Sequence, residues 1–425
     1  MKKTLIPLVV FTVIIIALAI RAYWNGGDDS FVPSFLHAYE KKKEAENGIA
    51  VKVTIDSMLQ HRIDSFVRAV PSVGSLGVMF YDAAAGQEVY TYRADELMRP
   101  ASCMKLLTCV ASLQKFGKSM KYRTRLYVSG KMKGDTLVGD ITLKTQFDPA
   151  FNRDSLYLLT DTLAAMGIKS LRGKVMLDMS DYSSMNHEEH WTMGDLRTRY
   201  LGLCYTGGNR LRVEMQFALQ RAGIVVNRDN IVYGRLDYAA SRKVAEIVTP
   251  IHYALEKSLK NSSNINAESL LYPLGYTMSN KGNFRSNGIK VLRNFVTERL
   301  GMNAAAHCNI EDGCGLCPEA RLTPRLLVNV LRYAWQHKYI YNEVYADLPL
   351  SGTDGTLHDR LTKPNVAGRI KAKTGTLTTC GGISTLAGYY VAGNGHLIIF
   401  AIMNNECPVM DGRWWQDKLL TKIVD

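Results

Sequence analysis

Residues 384–405, "STLAGYYVAGNGHLIIFAIMNN", are two apolar runs joined by Gly393-Asn394-Gly395. Asn-Gly and its relatives adopt the positive-φ turns that match strand twist, so this stretch predicts a β-hairpin. Residues 75–92, "SLGVMFYDAAAGQEVYTY", have the same strand, turn, strand form. Together they predict one antiparallel sheet built from both ends of the chain.

The extreme N-terminus says where such a fold would work. Lys2 and Lys3 precede an apolar run from Leu5 to Ile20, broken by Pro7 and Thr12. Ala17-Leu18-Ala19 suits signal cleavage, and Arg21 equally suits the flank of an uncleaved anchor. Both readings carry the rest of the chain across a membrane, to a periplasmic or other extracytoplasmic location. The remaining residues are 47% hydrophobic over the whole chain, with charges spread throughout, which indicates a globular protein with a sizeable core. A net charge of +13 favours solubility or anionic wall polymers and lipid headgroups. Lys41-Lys42-Lys43 is interleaved with glutamates and reads as a solvated helix or linker, so no nucleic-acid partner is expected.

Metal and disulfide signals are weak. The eight cysteines are irregularly spaced, and Cys314-x-x-Cys317 has no second pair at zinc-ribbon spacing. "HEEH", His187–His190, has histidines three apart and so misses the helical HExxH pair; it reads as surface. No metal and no cofactor are expected.

Two Ser-x-x-Lys pairs lie in "RPASCMKLLTCVASLQKFG", residues 99–117: Ser102 with Lys105, and Ser112 with Lys115. About two such matches arise by chance in a chain this long, so position must choose between them. Pro100 and Gly117 bound a predicted helix from about Pro100 to Phe116. Ser102 sits in its first turn, where free N–H groups and the dipole favour a developing anion; Ser112 sits near the opposite end. A lysine acting as base must lose its proton near neutral pH, about three pH units below its ordinary pKa, which calls for burial or a second cation.

A candidate for that second cation lies in "RIKAKTGTLTTCGG", whose Lys373-Thr374-Gly375 falls on a predicted strand, with Gly375 allowing a ligand backbone close approach. A Ser-x-Asn element occurs twice, at Ser184-Met185-Asn186 and Ser262-Ser263-Asn264. The second follows "TPIHYALEKSLKN", a predicted helix with a Thr N-cap and Pro in its first turn, and is preferred because a helix end would hold it rigidly.

Ser102-x-x-Lys105, Ser262-x-Asn264 and Lys373-Thr374-Gly375, in that order after an export segment, form the three-motif set of penicillin-binding proteins and serine β-lactamases. Over residues 60–415 the chain resembles the class C low-molecular-mass penicillin-binding proteins, the DacB-type D-alanyl-D-alanine carboxypeptidase/endopeptidase family. The resemblance rests on "MRPASCMKLLTCVASLQKFG", "YRTRLYVSGKMKGDTLVGDITLKTQFDPAF", "LKNSSNINAESLL", "EDGCGLCPEARLTPRLLVNVL", "LPLSGTDGTLHDRL" and "IKAKTGTLTTCGGISTLAGY". It departs from the family where "KTQF" precedes Asp148-Pro149 and where Cys314 and Cys317 stand in place of the usual serines. The gap of about 160 residues between the first two motifs leaves room for a single inserted domain.

The resemblance implies an α+β fold: a five-stranded antiparallel sheet flanked by helices, with an inserted β-rich domain. It divides the chain into a signal or anchor (1–26), a catalytic domain in two parts (27–122 and 240–425) and the insert (123–239). It also implies that Ser102 attacks the D-Ala-D-Ala carbonyl of a peptidoglycan stem peptide, with Lys105 as base. Ser262 would relay a proton, Asn264 would hold Lys105 and substrate, and Lys373 would be the nearby cation. Thr374 and Lys373 would bind the terminal carboxylate beside Gly375, and the N–H groups of Ser102 and Thr376 would form the oxyanion hole. β-Lactams would acylate Ser102. A non-catalytic β-lactam sensor or wall-binding module is the alternative, and the balance between carboxypeptidase and endopeptidase action stays open.

Overall fold

The computed structural model describes residues 57–69, 74–179, 190–191, 202–206, 208–280 and 282–424. The N-terminal apolar segment, the lysine run and Ser184-Met185-Asn186 lie outside the described residues.

A helix, α1 (Ser57–Ala69), leads into strands β1 (Ser75–Asp82) and β2 (Gln87–Tyr92). Helix α2 (Met104–Phe116) follows, then β3 (Lys121–Ser129), β4 (Ile141–Lys144), α3 (Arg153–Ala165), β5 (Val175–Asp178), α4 (Gly208–Arg221), β6 (Ile231–Tyr233) and β7 (Ser241–Pro250). The chain continues through α5 (Ile251–Leu259), α6 (Asn264–Met278), α7 (Phe284–Glu298), α8 (Pro324–Gln336) and α9 (Lys338–Asp347). It ends with β8 (Ile370–Leu377), β9 (Ile383–Val391), β10 (Leu397–Asn405) and α10 (Val409–Ile423).

The first sheet is antiparallel, in the order β8-β9-β10-β1-β2. Ser75 stands opposite Asn405, so the two chain ends are joined as the hairpin patterns predict. At the Gly393-Asn394-Gly395 turn, Gly395 has φ +84° and His396 N–H donates to Asn394 Oδ1. The central strands are buried on both faces. Alternation then sorts their side chains. Val78, Phe80, Leu386, Phe400 and Ile402 pack with α1 and α10, while Met79, Tyr81, Tyr389, Ala401 and Met403 join a core with α2 and α8. This is the expected α+β architecture.

The second sheet, within residues 121–250, runs β7-β3-β4-β5-β6, antiparallel from β7 to β4 and parallel from β4 to β6. The parallel pairs require crossovers. Helices α3 and α4 lie between these strands in the chain. The hydrophobic core runs without a break from this sheet into the helices of the first. Phe147 stacks on Tyr272 of α6 and meets Phe284 of α7 edge-on, and Tyr205 Oη donates to the Phe147 carbonyl.

Two local expectations are corrected. The helix expected from Pro100 starts instead as a 3-10 turn, Ala101–Cys103, with α2 proper beginning at Met104; Ala101 is held at φ +45°. Thr249 is not an N-cap. It ends β7, its hydroxyl donates to the buried Asp148 at 2.8 Å, and Pro250 takes the cap position of α5.

Candidate active site

Every residue from Met104 to Leu113 of α2 is buried, so the helix is sheathed all round and its start is fixed from several sides. Ser102 is half-buried at that start, and Lys105, one turn on, is wholly buried. Lys105 Nζ lies 2.8 Å from each of three oxygens: Ser102 Oγ, Asn264 Oδ1 and the carbonyl of Cys314. The other pair is not a pair: Ser112 faces the core towards the Leu270 carbonyl, and Lys115 is exposed.

The preferred Ser-x-Asn element joins two helices rather than ending one. Asn264 opens α6, and Ser262 sits in the link from α5 at φ +59°. A non-glycine residue held there stores backbone strain, as residues at functional sites often do. Lys373 Nζ donates to Ser262 Oγ at 2.9 Å and to the Thr374 carbonyl at 2.8 Å. Burial first, and the neighbouring Lys105 charge second, pull Lys373 down to about 7. The cation expected to depress Lys105 is thus itself depressed.

Strand β8 is the edge of its sheet. The N–H of Ala372 points away from β9, to the carbonyl of Pro349. The two-residue period gives Thr374 and Thr376 N–H the same outward direction. Gly375 has a different duty from the one expected. A Cβ there would lie 2.0 Å from Thr385 Oγ1 and 2.6 Å from the Pro100 carbonyl, so its small size lets the strand press on the turn carrying Ser102. Thr385 Oγ1 ties the same contact by donating to Pro100 O at 2.7 Å.

Three contributors escaped the sequence reading. The first is the loop 312–317, which presents the Cys314 carbonyl to Lys105. Buried Asp312 accepts from Gly315 and Cys317 N–H at 2.6 and 2.8 Å, Glu268 accepts from Gly313 N–H at 2.8 Å, and Thr108 donates to the Gly313 carbonyl. Gly315, at φ +82°, has no room for a side chain against the Ala101 carbonyl. Glu268, Asp312 and Cys314 bring potential metal ligands together, but loop N–H groups and the Cys314 thiol already draw on these carboxylates. The second contributor is Thr356, which accepts from Thr374 Oγ1 at 2.7 Å. The third is Arg413 of α10, whose Nη2 donates to Thr376 Oγ1 at 3.0 Å while its buried Nε has no acceptor among the described residues. The loop and Thr356 fall in stretches that carry the family resemblance, but nothing in those stretches assigns these atoms to the site, and Arg413 lies in no motif. No disulfide joins any of the cysteines among the described residues, and most of them are buried.

A serine, a buried amine, a second serine and a second buried amine are thus ranged beside the edge of an antiparallel sheet, the constellation that the three motifs led one to expect. Residues 59–203 and 206–420 match the D-Ala-D-Ala carboxypeptidase 3 (S13) family, and the chain belongs to that family. It is 21% identical over 438 residues to the D-alanyl-D-alanine carboxypeptidase DacB of Haemophilus influenzae, covering 83% of this chain and 90% of that protein. The crystal structure of penicillin-binding protein 4 (dacB) from the same organism superposes with a TM-score of 0.70 at 19% identity, over 81% of this chain and 93% of the other. A predatory peptidoglycan endopeptidase from Bdellovibrio bacteriovorus shares the fold at a TM-score of 0.55 and 17% identity, over 79% and 86% of the two chains.

Proposed function

We propose that this member of the D-Ala-D-Ala carboxypeptidase family is a serine DD-peptidase that works through an acyl-enzyme on Ser102. One observation carries the reading. Among the neighbours of Lys105 Nζ, the Asn264 amide oxygen and the Cys314 carbonyl only accept hydrogen bonds. A neutral amine spends its two N–H groups on those and aims its lone pair at the Ser102 hydroxyl, 2.8 Å away. That is the geometry of a general base.

Ser102 Oγ then attacks the carbonyl between two D-alanines of a stem peptide and passes its proton to Lys105. The oxyanion falls between Ser102 N–H, at a helical start that lacks intrahelical acceptors, and the outward N–H of Thr376. Lys373 occupies Ser262 Oγ as an acceptor, which leaves the Ser262 hydroxyl proton to be handed to the leaving amine, and the proton that Lys105 took from Ser102 replaces it. The terminal carboxylate meets Lys373, Thr374 and the hydroxyl and guanidinium of Thr376 and Arg413. Water completes the cycle by hydrolysing the ester. Penicillins acylate the same serine; the Bdellovibrio endopeptidase is known in a penicillin G-acylated form. Cleavage of cross-links uses the same chemistry on a bulkier amine. The reading places the enzyme outside the cytoplasm, delivered by its N-terminal apolar segment and held there by it if uncleaved, and takes about residues 123–239 as an insert in the catalytic domain.

The test is acylation by fluorescent penicillin and D-alanine release from a stem peptide, in wild type and Ser102→Ala. Both signals present in wild type and absent in the variant is the expected result. Label without release would instead make the protein a β-lactam sensor, and label surviving in Ser102→Ala would remove Ser102 from the nucleophile's place.

A further inference from the structure

We propose that His190, Cys317 and Glu319 form a binding site for a divalent cation of the zinc class, separate from the acyl-transfer site. One imidazole nitrogen, one thiol sulfur and one carboxylate oxygen lie within 4.8 Å of one another. Cys317 Sγ and Glu319 Oε2 are already 3.1 Å apart. Tetrahedral zinc, with bonds of roughly 2.0–2.3 Å, sets its ligand atoms roughly 3.3–3.8 Å apart, so closing the tripod needs a shift on the order of one ångström. A nitrogen, sulfur and oxygen set suits zinc better than the oxygen-seeking magnesium or calcium.

Two of the ligands are held in place before any ion arrives. Cys317 N–H donates to the buried Asp312 carboxylate, and the carbonyl of Pro318, between them, accepts from Arg99 and Arg321. The third comes from a distant part of the sequence, between β5 and α4. Cys317 is buried while His190 and Glu319 are exposed, so an ion has a way in from solvent and a side left for a water ligand. Charge also balances: a thiolate and a carboxylate supply two negative charges against the ion's two positive ones. Arg321 stands nearby as an opposing charge. Binding breaks the S–H bond of Cys317, forms a metal–sulfur bond and releases one proton to water. The Cys-x-x-Cys motif is thereby divided. Cys314 turns inward to Asp312, and only Cys317 serves the ion.

The experiment uses reduced, metal-stripped full-length protein, titrated with Zn2+ against a chromophoric chelator and separately with Co2+ while the near-ultraviolet thiolate-to-cobalt band is followed. We expect one equivalent bound and a thiolate–cobalt band in wild type. Cys317→Ser should lose the band, His190→Ala should lose stoichiometric uptake, and Cys380→Ser, at the one cysteine that is not buried, should keep both. Circular dichroism on each variant checks that the fold is retained. Absence of uptake in wild type, a band that survives Cys317→Ser, or uptake indifferent to His190→Ala would each overturn the proposal.

Discussion

The carbonyl of Cys314 lies 2.8 Å from Lys105 Nζ, and the loop that carries it is locked by Asp312 and Glu268. Two strict acceptors, this carbonyl and Asn264 Oδ1, hold the amine with Ser102 Oγ also 2.8 Å away. Asn264→Ala removes one of them. The amine then swings, and penicillin acylation is expected to slow by about a hundredfold or more, with the fold intact. Stopped-flow acylation measures this; an unchanged rate would show that the lysine needs no such guide.

Lys373 supplies a pH signature. Its pKa is about 7 in the fold and near 10.4 in the unfolded chain. Between these values the unfolded state binds more protons, so stability rises with pH over this interval. Below pH 7 both states hold the proton and the penalty for burying it is present in full. Lys373→Met cannot titrate there. The stability of wild type relative to this variant is expected to climb from pH 7 to 10, by an amount on the order of 4 kcal/mol at most. Urea unfolding at several pH values reads it, and parallel curves for the two proteins would contradict the depressed pKa.

Gly375→Ala drives a Cβ into Thr385 Oγ1 and the Pro100 carbonyl, neither of which has slack. A loss of about 3 kcal/mol is expected, together with slower acylation, because the backbone that yields carries Ser102. Thermal melting measures the first effect and penicillin labelling the second.

Arg413 reaches the edge of the site through Thr376. If it serves the substrate's terminal carboxylate, Arg413→Ala raises KM for stem peptides about tenfold and lowers kcat little. Peptides ending in an amide should be insensitive to the change. Equal effects on both peptides would assign Arg413 to strand support instead.

Much of this could be read in the chain because the signals are local. The Gly393-Asn394-Gly395 turn, the strand alternation and the three motifs each fit within a few residues, and their order did the rest. What escaped was non-local. Nothing in "EDGCGLC" says that a backbone carbonyl, rather than a side chain, faces Lys105. Gly375 looks like a space left for ligand until Pro100 and Thr385 are seen to fill it. Ala101 at positive φ breaks a local rule, so the helix start was misplaced by a turn. The Thr249 hydroxyl was committed to Asp148, about a hundred residues away in sequence, which no capping pattern reveals.

Helix α6 begins with Asn264 against Lys105 and, about 12 Å further along its axis, sets Tyr272 against Phe147. The module that holds Phe147 contributes no atom to acyl transfer, yet it clamps the helix that aims the base. Modularity in this architecture is therefore only apparent. Excising the second sheet, or exchanging it for that of a relative, would leave all three motifs intact in the chain while loosening the alignment that gives them meaning. Divergence of the two parts is coupled through the packing of Phe147 on Tyr272 and Phe284 and the core continuous with it.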